Sequence, residues 1–157
     1  MSMLIEPQQF KNVLLNLLDE AFDTCHGNFL DPNNGLFYTL ETVSAEEASI
    51  PVGGKCASLA AQVAHVTFYI ETFERRTIYN DNSPADWGEV WRAVEKVTPA
   101  EWDALKDKLR QAYQRVDKFF RENETWNQSA MEDSLSVVVH SVYHLGEIRQ
   151  ALCTLKS

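Results

Sequence analysis

The last segment of the chain predicts a helix that is apolar on most sides and carries one stripe of titratable side chains. The apolar positions between residues 129 and 154 cover much of the helix circumference: Met131, Leu135, Val138, Val142, Leu145 and Leu152. At about 100° per residue, three titratable residues lie within about 40° of His140: Asp133, His144 and Glu147. Such a helix is expected to be buried, so its stripe must be satisfied by a group inside the protein.

The histidines in this stripe predict a metal site. His140 and His144 are four residues apart, so both imidazoles can reach one ion from the same helix face. A third imidazole from another helix would complete a three-histidine site with positions left open, and His65 in LAAQVAHVTFYIETF is the candidate. Nitrogen ligands suit zinc or nickel, and the sequence does not choose between them. Two alternatives stay open: buried histidines and acids that hydrogen-bond one another, and His65 as a packing residue.

Two neighbours of the pair are candidate catalytic residues. Glu147, one turn beyond His144, can ligate the ion, orient a bound group or act as a general base. Tyr143 is a candidate donor to a developing oxyanion, with a core packing role as the alternative. His26 lies at the predicted end of the first helix, where a cation is favourable, so a capping role is preferred to metal binding there.

Composition favours one globular domain over residues 1–157. The net charge of −9 provides no basic surface for nucleic acid. The apolar stretches are too short to span a bilayer, and the first residues lack the features of a signal peptide, so we expect a cytoplasmic protein without membrane contact. Three widely spaced cysteines predict reduced thiols: Cys25, Cys56 and Cys153.

Helical periodicity predicts four main helices. The first covers about 7–26, with Pro7 in its first turn and Gly27 as a left-handed cap. An irregular link up to residue 55 permits a crossover, and a second helix follows over about 57–79. The third begins at Thr98-Pro99-Ala100-Glu101, a capping box with a proline at the first helical position.

The fourth helix is predicted from a second capping box, Ser129 with Glu132, to about residue 154. Between helices two and three, Ser83-Pro84 opens a short aromatic segment with Trp87 and Trp91. We expect one or two helical turns there, packed over one end of the bundle. Its tryptophans serve as a core lid or as a platform for substrate.

The chain resembles the DinB/YfiT-like metalloprotein superfamily in these motifs. They are HxxxH followed by a glycine and an acid on the last helix, the single histidine early in helix two, and the order and spacing of the helices. The resemblance implies a four-helix bundle with long crossover loops and the ligands His65, His140 and His144. Many relatives read H-R-G-Q after the second histidine of the pair, whereas this chain has Leu145-Gly146-Glu147.

The resemblance fixes the site better than the reaction, because members are thiol transferases acting with low-molecular-weight thiols or proteins of no known activity. We therefore expect a divalent-metal-dependent enzyme acting on a small molecule, hydrolytic or thiol-transferring. The alternative is a non-catalytic metal-binding or interaction protein. A homodimer is expected as well, because relatives are often dimeric and the 8 Phe, 5 Tyr and 4 Trp exceed what a small core needs.

Overall fold

The computed structural model describes residues 6–156, and all the regular secondary structure in this part of the chain is helical. The helices are α1 (Pro7–Phe22), α2 (Leu36–Glu41), α3 (Ala45–Ala48), α4 (Leu59–Phe73), α5 (Trp87–Ala93), α6 (Pro99–Glu122) and α7 (Gln128–Leu155). A 3₁₀ turn at Val52–Gly54 precedes α4, and a π-helical turn at Glu74–Ile78 follows it. The predicted all-α class and the short helix carrying Trp87 and Trp91 are confirmed.

The helices pack around an apolar core in an arrangement compatible with a helical bundle. Both α1 and α4 pack against α6 and α7. Helices α4 and α7 run antiparallel, because Gln62 early in α4 contacts His144, whereas Tyr69 later in α4 contacts His140. The largest fully buried side chains come from the long helices and from α2: Trp102, Phe22, Phe120, Leu14, Leu18, Leu36, Leu40, Leu59, Ile70, Leu109, Leu145 and Ile148.

Helix α1 ends at Phe22, four residues earlier than the sequence predicts. The reason is Glu20, which is fully buried and accepts hydrogen bonds of 2.7–2.9 Å from Asn28, Phe29 and Leu30. The chain must leave the helix to bring these donors back onto the carboxylate. Gly27, with φ of +76°, therefore lies within this returning loop and does not cap the helix.

The predicted limits of the second helix are close to those observed, with a change of geometry at its end. Ser58 caps α4 through a hydrogen bond from the Ala61 N–H. After Phe73 the helix continues as the π-helical turn, where the buried Glu74 carboxylate accepts two hydrogen bonds from Arg115 of α6, at 2.7 and 2.9 Å. This long-range pair fixes the turn against α6.

Helix α6 begins as predicted, whereas the predicted cap of α7 is wrong. Thr98 and Glu101 form the expected capping box, with Pro99 as the first helical residue. In α7 the capping residue is Asn127, which accepts from the Ala130 N–H. Glu132 accepts a hydrogen bond from the Gln128 side chain, so it does not form a box with Ser129. Asn127 and Ser129 are both residue types that cap helices, and the helix begins after the earlier of the two.

None of the helices in the described part of the chain is long and apolar enough to cross a bilayer. No disulfide joins Cys25, Cys56 or Cys153 in the structure.

The buried Glu20 carboxylate makes stability depend on pH in the acid range. Burial by itself raises the pKa of Glu20, but the hydrogen bonds from Phe29, Leu30 and Asn28 outweigh it and lower the pKa from 4.5 to about 2. Because the folded-state pKa is lower than the unfolded one, this stabilisation is complete above pH 4.5 and is lost as the pH falls towards 2.

We expect Glu20→Gln to lower the free energy of unfolding by about 1–3 kcal/mol at pH 7, because the amide cannot satisfy all of these donors. The difference from the unsubstituted protein should shrink as the pH falls from 4.5 to about 2. Urea unfolding at pH 7, 4 and 3 measures it, with the exposed Glu122→Gln as control. A pH-independent difference would contradict the assignment.

Candidate metal centre

Three histidines from two helices converge at one point of the bundle. His65 comes from α4, and His140 and His144 come from successive turns of α7. One ring nitrogen of each lies within 4.8 Å of the other two, and the ring centroids are 4.6–5.0 Å apart. These three residues could hold a metal ion. The fourth histidine, His26, lies outside the cluster and pairs with Asp19 at 2.7 Å.

The cluster is buried and leaves two ring nitrogens unsatisfied. His65 and His144 are 7% and 4% exposed, and His140 is half-buried. Nδ1 of His65 and Nε2 of His140 are buried and have no hydrogen-bond partner among residues 6–156. An unpaired buried polar atom costs about 1–3 kcal/mol, so native proteins rarely retain one without a use for it. This is the opposite of a self-satisfied histidine network, in which each ring nitrogen would have a protein partner.

Burial keeps the imidazoles in the form that binds metal. It lowers the pKa of His65 and of His140 to about 4, and in both cases the neighbouring His144 lowers the pKa further. Burial also lowers the pKa of His144, although Glu147 opposes the shift. His65 and His140 are therefore neutral at pH 7, and their lone pairs are available without the loss of a proton.

Glu147 and Gln62 hold the ring of His144. Nδ1 of His144 lies 2.8 Å from Oε2 of Glu147 and 3.3 Å from Oε1 of Gln62. With Nδ1 engaged as a donor, Nε2 remains for an ion, which is the carboxylate–histidine arrangement that orients metal ligands. Tyr143 is 62% exposed, and the neighbouring Glu147 raises the pKa of Tyr143. The catalytic roles of Glu147 and Tyr143 stay predictions.

Aromatic rings cover the other sides of the histidines. Tyr69 stacks on His140 with centroids 3.7 Å apart, and Trp91 of α5 stacks on His65 at 4.2 Å. Trp87 approaches His65 edge-on at 6.2 Å. The tryptophans of α5 thus lie beside the histidine cluster.

The donor set fits a divalent ion that prefers nitrogen. Zinc–nitrogen bonds of about 2.0–2.1 Å place tetrahedral ligand atoms about 3.4 Å apart. The three nitrogens lie within 4.8 Å of one another, a separation that approaches this spacing. Three neutral imidazoles also leave at least one coordination position for a substrate group.

The sequence pattern identified the three histidines and Glu147, but not the contacts that Gln62 and Tyr69 make with the histidines. Gln62 and Tyr69 lie three residues before and four residues after His65, positions that a helical projection places near its face. That spacing was the only signal for either residue. The stacking of Trp91 on His65 had no signal in the spacing, because a loop separates α5 from α4.

A comparison of the chain with protein-family models, with characterised proteins and with solved structures finds no match. The likeness to the DinB/YfiT-like superfamily therefore rests on the motifs and on the helix order alone.

Proposed function

We propose that the protein is a divalent-metal-dependent enzyme of the DinB-like four-helix-bundle type, acting on a small molecule. His65, His140 and His144 would hold zinc or nickel. The observation that carries the proposal is the pair of unsatisfied nitrogens, Nδ1 of His65 and Nε2 of His140, buried within a cluster of three imidazoles. An ion of this kind supplies Lewis-acid chemistry and lowers the pKa of a water or thiol bound to it.

The residues of the chain divide the remaining tasks. Glu147 holds His144 through Nδ1, and its carboxylate is the candidate base for a substrate proton. Tyr69, Trp87 and Trp91 exclude water from the histidines. Hydrolysis and the transfer of a low-molecular-weight thiol to an electrophile both need these elements, so we propose one of these two reaction types.

The test begins with protein purified without an affinity tag. We expect elemental analysis to find one zinc or nickel per chain, or one bound after addition. The loaded protein and a His140→Ala variant are then screened against ester, amide and thiol-plus-electrophile substrates. Turnover that requires His140 supports the proposal. Stoichiometric metal without turnover in either screen favours the non-catalytic alternative.

That alternative is a metal-binding or interaction protein, and the outer face of α7 favours it. Leu135, Val139 and Tyr143 are spaced by four residues and are 37%, 66% and 62% exposed. An apolar stripe of this kind suits a symmetric helix–helix contact, as does the homodimer that we also propose.

We expect light scattering to give a mass twice that of one chain, which is 17.9 kDa. Val139→Asp should disrupt the dimer, so that light scattering gives the mass of one chain. A chain-mass species at every concentration would reject the dimer.

A further inference from the structure

A small polar cavity lies beside the histidine cluster, between α4, the π-helical turn and α7. Its volume is about 150 Å³, and its lining comes from these elements and α5 and includes Tyr69, Thr72, Arg76, Thr77, Trp87 and Asp133. At about 30 Å³ per water, it has room for about five water molecules. It is open to solvent on one side and can therefore accept one small polar group, with the rest of a ligand outside it.

Two opposite charges face this cavity without neutralising each other. Arg76 comes from the π-helical turn and Asp133 from α7, and both are exposed residues that line the cavity. Within residues 6–156 neither side chain makes a hydrogen bond or an ion pair. By contrast, the neighbouring Arg75 is bound to Ser83 and Asp81. A cation and an anion that share a cavity but do not pair leave a position for a ligand that carries both charges.

Both charged side chains affect the pKa of the Tyr69 hydroxyl. The pKa of Tyr69 is raised by burial and by Asp133, while Ser136 and Arg76 act in the opposite direction. Thr72 and Thr77 add two further hydroxyls to the lining. The cavity thus offers hydroxyl donors and acceptors together with one positive and one negative side chain.

The charge balance selects the ligand. Asp133 repels phosphate and dicarboxylates, and Arg76 repels simple amines, whereas a zwitterion satisfies both side chains. We propose that this cavity binds an α-aminocarboxylate group, the charged end of an amino acid, with its carboxylate on Arg76 and its ammonium on Asp133. Five non-hydrogen atoms make up this group, which agrees with the volume.

The cavity shares two walls with the metal centre. The ring of Tyr69 stacks on His140, and Trp87 contacts His65. A molecule anchored by its amino-acid end would therefore have its remaining part next to the ligand histidines. Binding of the α-aminocarboxylate group does not depend on the proposed function. Only the further step, that the bound molecule is the substrate of the metal centre, rests on the proposed function.

Calorimetry with L-alanine tests the inference against matched probes that each lack one charge. Propionate lacks the ammonium, and ethylamine lacks the carboxylate. We expect L-alanine to bind about 10- to 100-fold more tightly than either, the range for hydrogen bonds to charged groups. Equal binding of the three probes, or tighter binding of inorganic phosphate, would overturn the inference.

Two substitutions assign the binding to this cavity. Arg76→Gln and Asp133→Asn should each weaken L-alanine binding about 10- to 100-fold. The exposed Lys118→Gln and Glu132→Gln remove the same charges elsewhere and should change it less than twofold. L-Alanine binding that survives both cavity substitutions would overturn the inference. A longer probe, Nε-acetyl-L-lysine, shows whether the ligand is a free small amino acid or a larger molecule with the same end.

The outcome is separable from that of the proposed function. Binding is measured with zinc-loaded protein and with His144→Ala protein, because Arg76 and Asp133 lie outside the histidine cluster. If L-alanine binding depends on Arg76 and Asp133 but the protein takes up no metal, the proposed function is wrong and this inference stands. Metal uptake without L-alanine binding would defeat this inference alone.

Discussion

Substituting His144→Ala is expected to abolish stoichiometric binding of zinc or nickel and to leave the helical circular dichroism intact. The substitution removes one of three ligands and leaves His65 and His140, which together hold a divalent ion only weakly. The fold should survive, because a chain of 157 residues gains its stability from the buried apolar core and not from an ion.

Metal titration followed by circular dichroism measures both effects on one sample. His26→Ala is the matched control, because His26 pairs with Asp19 outside the cluster and its loss should leave metal binding unchanged. A His144→Ala protein that unfolds would mean that the ion is structural. Native affinity in this variant would exclude His144 as a ligand.

Glu147→Gln is expected to retain the metal and to lower turnover by about 10²–10⁴-fold, the range for the loss of a general base. In the described part of the chain, Glu147 is the acid that lies within hydrogen-bonding distance of a ligand histidine. The amide preserves the shape of the side chain and an oxygen that can accept from Nδ1 of His144, so the ion stays in place while the charge is removed.

Glu147→Ala separates the two roles of this carboxylate. It also removes the acceptor for His144, so we expect metal affinity to fall about 10- to 100-fold, as for other partners of metal-bound histidines. Glu132→Gln, on the exposed side of the same helix, should have neither effect. Unchanged turnover in Glu147→Gln would show that Glu147 only orients His144. The substrates found by the screen provide the assay.

The sequence by itself determined the features that arise from neighbours along the chain. The Thr98–Glu101 box begins α6 because both partners lie within one helical turn. His140 and His144 share a face of α7 because a spacing of four returns to that face. Helical periodicity likewise predicted the all-α class, because apolar stripes are a property of each segment.

The tertiary structure decided what depends on contacts between distant segments. Only the antiparallel packing of α4 on α7 brings His65 to the pair and faces Arg76 towards the cavity that Asp133 lines. Helix α1 ends early because the Glu20 carboxylate accepts hydrogen bonds from the loop at residues 28–30. The helical periodicity of the sequence gives no information about these hydrogen bonds. The stacking of Trp91 on His65 also depends on tertiary contacts. A loop precedes α5, so the packing of α5 determines where Trp91 lies, and the residue spacing does not.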